Sequence, residues 1–108
     1  GKPVVVSRFS GCMDFVSEET SYLVDGDVIK LSPGDYDYSE DQYWFEPSIS
    51  CAAAQLKKCR YNIEQTKIIA RNGQSVIKDN LSSQSLAQLF EKRLNQISVK
   101  NLNPQTDL

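Results

Sequence analysis

Gly1-Lys2-Pro3-Val4-Val5-Val6-Ser7-Arg8-Phe9-Ser10-Gly11 is the stretch that decides the fold class. Pro3 biases its neighbours towards extended backbone, and three successive β-branched valines continue that preference. With no polar alternation, Val4 to Val6 predicts a short strand buried on both faces, the type found in parallel sheets. Ser10-Gly11 ends it. Ser10 is a candidate N-cap, and Met13, Phe15 and Val16 supply apolar residues for a short helix. Strand, tight turn and helix in that order make half of a βαβ unit.

Further along, Ser21-Tyr22-Leu23-Val24 reads as a second short strand. Asp25-Gly26-Asp27 is a turn signal, and Val28-Ile29-Lys30-Leu31 resumes extended character, either as a hairpin or as two strand pieces flanking a loop. From Ser32 to Glu46, acidic residues (Asp35, Asp37, Glu40, Asp41, Glu46) are interleaved with Tyr36, Tyr38, Tyr43, Trp44 and Phe45. That mixture predicts a long loop pinned at its aromatic end near Trp44. Three helices are expected after it. The first runs from Ser48 to about Tyr61, with Ile49, Ala52, Ala53 and Leu56 on its apolar stripe. The second is capped by Asn62 with Gln65 at the capping-box position, and carries Ile69, Gly73, Val76 and Ile77. Gly73 inside it costs roughly 1 kcal/mol relative to Ala, which predicts close packing there. The third is capped by Ser82 or Ser83 and presents Leu86, Leu89, Phe90, Leu94 and Ile97. Residues 98–108 read as a flexible tail.

The 108 residues suffice for one small domain. A formal net charge of -2 offers no broad cationic surface for nucleic acid or anionic lipid. No apolar run approaches the roughly 20 residues that span a bilayer, and the amino-terminal residues lack the pattern of a signal peptide. There are 3 cysteines and 0 histidines. Cys12, Cys51 and Cys59 make a poor zinc site without histidine. Cys51 and Cys59, eight residues apart on one expected helix, would lie roughly 12 Å apart, too far to bridge. Reduced thiols in a cytoplasmic protein are the expectation.

The order of the pieces carries a resemblance. Gly1-Lys2-Pro3 followed by the valine strand, then Ser10-Gly11 and Asp14-Phe15, resembles one stretch of the family 4 glycosyltransferases. Ser21-Tyr22-Leu23-Val24 is similar to that family's next strand. Trp44-Phe45-Glu46-Pro47-Ser48-Ile49 with Ala52-Ala53 resembles its tryptophan and glutamate-proline segment, and Ser82 through Leu94 its final helix. The resemblance implies an α/β fold: a partial Rossmann-like C-terminal half-domain with short parallel strands and three C-terminal helices. Residues 1–97 would be the C-terminal portion of the donor-binding domain. It also implies a fragment of an enzyme that transfers a sugar from a nucleotide-sugar donor to a glycan or lipid acceptor with retention, using no metal and no other cofactor. The family's paired glutamates and its diphosphate-gripping basic residues have no counterpart here, so this chain alone is expected to be inactive. Location would be cytoplasmic, with peripheral attachment to a membrane left open.

Little other chemistry stands out. Ser10 and Gly11 occupy the position where doubly wound folds bind ligands, the carboxyl end of a strand, and are candidates for an indirect substrate-binding role beside an N-cap and tight-turn role. Asp14 and Glu18 share helical spacing, but Asp14 suits the positive start of a helix better than catalysis. Lys57, Lys58 and Arg60 make a small basic patch on a helix face. Ser7 and Ser10 have no histidine to activate them, which excludes a serine hydrolase. No catalytic residue is assigned. The alternative is a self-standing, non-enzymatic α/β interaction module that uses the acidic-aromatic loop as its docking surface.

Overall fold

A computed structural model of the chain describes the backbone of residues 1–102 and the side chains of residues 1–98. It is a mixed α/β chain with two small two-stranded sheets followed by three helices. Gly1–Ser75 forms one compact unit, and the chain from Val76 onward forms a second.

Strands β1 (Val5–Ser7) and β2 (Tyr22–Val24) pair in parallel, with Val5 opposite Tyr22 and Ser7 opposite Val24. The Tyr22 N–H donates to Val4 O and the Arg8 N–H to Val24 O, each at 2.9 Å. The expected parallel strand is present, but its burial is not as predicted. Residues of β1 are half-buried and Val4 is exposed, whereas Ser21, Tyr22, Leu23 and Val24 are all buried, Leu23 to 2% exposure. The reason is cover: α1 (Ile49–Tyr61) lies mainly over β2 and reaches β1 only marginally.

The connection between these strands departs from the expected helix. Ser10–Asp14 is a short 3-10 turn. Ser10 has φ 61 and so cannot be the extended N-cap that was predicted; Phe9 holds that position without a side-chain cap. The Cys12 thiol, donating to Phe9 O at 3.0 Å and Ser7 O at 3.3 Å, steadies the turn instead.

Asp25-Gly26-Asp27 is not a hairpin turn. Gly26 opens β3 (Gly26–Lys30), which pairs antiparallel with β4 (Tyr43–Pro47) in a separate sheet. A Cβ on Gly26 would run into Glu46 O and Pro47 Cα, so the close approach of β4 requires glycine. The predicted loop is therefore shorter than Ser32 to Glu46, because its aromatic end is strand. Phe45 is the one half-buried residue of β4, and its ring stacks on Phe9 with centroids 5.0 Å apart.

The first helix starts where expected, and Ser48 caps it, its Oγ accepting the Cys51 N–H at 3.2 Å. The inward face differs from the predicted stripe. Ile49 is 87% exposed and Leu56 is exposed, while Cys51, Ala52, Gln55 and Cys59 turn inward. The edge of β2 away from β1 explains this choice. In a parallel pair, alternate residues aim their amides to opposite edges, so Leu23 and Asp25 face away from β1. Gln55 Nε2 donates to Leu23 O at 2.7 Å, and the Asp25 N–H donates to Cys51 Sγ at 3.3 Å. Helix side chains thus satisfy an edge that would otherwise need another strand. All three cysteines are free thiols.

After a break at Asn62, α2 (Ile63–Leu81) buries Thr66, Ile69 and Ala70. Thr66 Oγ1 donates to Cys59 O at 2.9 Å and lies 2.7 Å from the Tyr22 hydroxyl, so the Tyr22 O–H is the donor to Thr66. Gly73 meets the predicted close approach: a Cβ there would sit 2.8 Å from Thr20 O. Helix α3 (Ser83–Leu102) is capped by Ser82, whose Oγ accepts the Ser85 N–H at 3.2 Å. It continues past Ile97, so residues 98–102 are helical rather than tail; the remainder of the predicted tail, 103–108, lies outside the described residues. Leu86, Leu89, Phe90, Leu94 and Ile97 are all exposed.

Two stability measurements check these packing assignments. Thr66→Val strands the buried Tyr22 hydroxyl and should cost about 1–3 kcal/mol in urea denaturation. Adding Tyr22→Phe to Thr66→Val should cost less than the sum of the two single changes, and strict additivity would contradict the coupled pair. Gly73→Ala gains about 1 kcal/mol of helix propensity but forces α2 off Thr20. The expected net result is a loss of about 1–3 kcal/mol, and a gain in stability would disprove the close approach.

Candidate functional site

Ser10 and Gly11 lie exposed on the 3-10 turn, and nothing stands within 4 Å of a Cβ built on Gly11. A turn of 5 residues aligns too few peptide dipoles to present an anion-binding N-terminus.

Groups do converge a few residues away, at the carboxyl ends of the parallel strands. Arg8 directly follows β1 and Asp25 directly follows β2. Arg8 Nε donates to Asp25 Oδ1 at 2.6 Å, and Arg8 Nη2 donates to Glu18 Oε1 at 2.7 Å. One planar guanidinium thus ties two strand ends to the Ser17–Ser21 turn, a split that its fixed fork of donors allows. The hydrogen bond to Glu18 first, and that to Asp25 second, hold the Arg8 guanidinium above its ordinary pKa. Glu18 is therefore an ion-pair partner and not a helix neighbour of Asp14.

Beside this cluster a groove of about 250 Å³ is lined by Arg8, Glu18, Tyr22, Gln55, Lys58 and Ile69, among others. Lys58 is the member of the expected basic patch that reaches it. One arginine against two carboxylates leaves the strand-end cluster net negative, so it cannot grip a diphosphate by itself. The Gln55 amide oxygen and the Lys58 ammonium suit hydrogen bonding to a small polar molecule, whereas Gln55 Nε2 and the Tyr22 N–H are already used within the fold. No group of three or more His, Cys, Asp or Glu side chains that could hold a metal ion is found among the described residues. No helix among the described residues is long and apolar enough to cross a membrane.

Lys58 belongs to the basic patch expected from the sequence, whereas Arg8 and Gln55 were not singled out there. Arg8 carried a usable signal, since it is the first residue after a predicted parallel strand. Gln55 carried none, because its role depends on which face of α1 turns inward.

Compared with family models, with curated proteins and with solved structures, the chain finds no match.

The ion cluster has a pH signature. A group whose pKa rises on folding contributes stability that is complete below its unfolded value and is lost only as pH climbs through the folded one. For Arg8 that window lies at strongly alkaline pH. The difference in urea midpoint between the native chain and Arg8→Gln should therefore stay constant from about pH 7 to about pH 10. A difference that shrinks across this interval would show that the Arg8 charge is not what holds the strand ends.

Proposed function

We propose that this chain is the closing section of the nucleotide-sugar-binding half of a retaining glycosyltransferase. The observation that supports this most is the parallel β1–β2 pair, with the outer edge of β1 unpaired while that of β2 is closed by α1. Among the described residues, the Val5 N–H and C=O on that outer edge have no protein partner. A doubly wound sheet grows by adding parallel strands at such an edge, and its ligands sit at the carboxyl ends. The ordered resemblance of Gly1 to Pro3, Ser10-Gly11, Asp14-Phe15 and Trp44 to Ile49 to family 4 points the same way.

On this proposal the chain contributes support rather than chemistry. Sugar transfer from a nucleotide donor needs cationic or hydrogen-bonding groups for the departing diphosphate. Arg8 is already committed to Glu18 and Asp25, so those groups belong to strands beyond β1. The strand-end groove would border the donor pocket, with Gln55 and Lys58 near its margin. The acceptor, a glycan or a lipid, would be bound by the other half of the enzyme on the cytoplasmic side, and no metal or further cofactor takes part.

Isothermal titration of residues 1–108 with uridine, guanosine and adenosine diphosphate sugars should show no micromolar binding. The longest polypeptide that carries this chain should bind one of these donors and turn it over with retention at the anomeric carbon. Donor binding by neither polypeptide would refute the proposal. A micromolar site within residues 1–108 would show that the donor pocket is misplaced.

A further inference from the structure

The tip of the β3–β4 hairpin has features that sugar transfer does not use. Residues 31–42 connect the strands and enclose, with β4, an open groove of about 490 Å³. Tyr36, Tyr38, Tyr43 and Trp44 line it together with Asp37. Tyr38 is 95% exposed, and the other three aromatics are also exposed. Clustered exposed aromatics mark interaction surfaces, because each ring offers a large rigid face and one polar tip at little cost in side-chain entropy.

The loop that presents them is pinned. The Leu31 N–H donates to Gln42 O at 3.0 Å, the Gln42 N–H to Ser39 O at 3.2 Å, and Lys30 Nζ to Asp41 Oδ1 at 2.9 Å. Leu31 and Ser39 are buried beneath it. Tyr38 (φ 59) and Asp41 (φ 56) sit in the left-handed region, which non-glycine residues seldom occupy. A surface held this way loses little further freedom on binding.

Charge selects the occupant. From Leu31 through Leu56 the chain has five carboxylates, Asp35, Asp37, Glu40, Asp41 and Glu46, and no lysine or arginine. Asp41 is paired with Lys30, and Asp35 accepts the Ser32 N–H. Asp37, in the lining of the groove, and Glu40, in an adjoining depression beside Lys30 and Asp41, have no side-chain partner among the described residues. Aromatic faces beside unpaired carboxylates favour guanidinium and ammonium groups, at about 0.5–2 kcal/mol for each cation over a ring. A groove this open does not enclose a single small cation. A neutral sugar would leave both carboxylates unused, and an anionic ligand would be repelled.

We propose that this groove docks an extended basic segment of a partner protein, with arginine or lysine heads over the tyrosine rings and towards Asp37 and Glu40. The site stands independently of any sugar-transfer role.

Trp44 is the only tryptophan of the chain, so its fluorescence reports the groove directly. The probe is a twelve-residue alternating arginine-proline peptide titrated into residues 1–108, with serine-proline and glutamate-proline peptides and a neutral oligosaccharide as controls. The arginine-proline peptide should change Trp44 emission saturably and bind severalfold more weakly as salt rises from about 50 to about 300 mM. Tyr36→Ala with Tyr38→Ala should weaken binding roughly tenfold. Asp37→Asn with Glu40→Gln should weaken it severalfold, and circular dichroism should be unchanged in both double variants. The proposal is overturned if the basic peptide leaves Trp44 unaffected, if the tyrosine changes do not weaken it, or if the oligosaccharide or the glutamate-proline peptide binds as well.

Discussion

A single residue separates β2 from β3, and nearly every element of the first unit is referred to it. Asp25 gives its N–H to Cys51 Sγ, accepts the Ser48 N–H at its carbonyl at 2.8 Å, and accepts Arg8 Nε at its carboxylate at 2.6 Å. The end of β1, the cap of α1 and the departure of the hairpin are thus fixed by bonds to the backbone and side chain of one residue. Backbone groups taken from water must be paired, and at a junction without a neighbouring strand only side chains and a helix start can do it. The same requirement explains why α1 turns Gln55 and Cys51 inward in preference to Ile49 and Leu56.

This constraint also marks how far the sequence could be read. The start of α3 was legible to within one residue, as Ser82 or Ser83, since capping by a hydroxyl is local chemistry; the start of α1 at Ser48 was legible from the helical spacing that follows it. Gly73 was legible because glycine inside a helix has a price in propensity that close packing offsets. The parallel strand pairing and the α/β class followed from unbroken aliphatic runs. The inward face of α1 was not legible, because it answers to the unpaired edge of β2, far away in sequence. The β4 strand was hidden as well. Its aromatic residues resembled a loop anchor until the partner Gly26–Lys30 was in place. Ser10 looked like an N-cap by residue type, but its left-handed backbone excludes that role.

Two surfaces of the first unit carry different chemistry. The strand-end cluster around Arg8 spends its one cation on two carboxylates and suits structural support. The hairpin tip is acidic, aromatic and rigidly presented. The first reading depends on the family resemblance and the unpaired side of β1. The second depends only on residues within the hairpin, so either can stand without the other.

The unpaired side of β1 is also protected. Odd-numbered residues point their amides to that side, and the one just ahead of Val5 is Pro3, which has no N–H to give. An incoming chain finds the peptide groups of Val5 and then, at Pro3, a position with no N–H to donate. The interruption works as a gatekeeper: it leaves room for one specific neighbour while denying the long, regular ladder on which amyloid-like stacking would propagate.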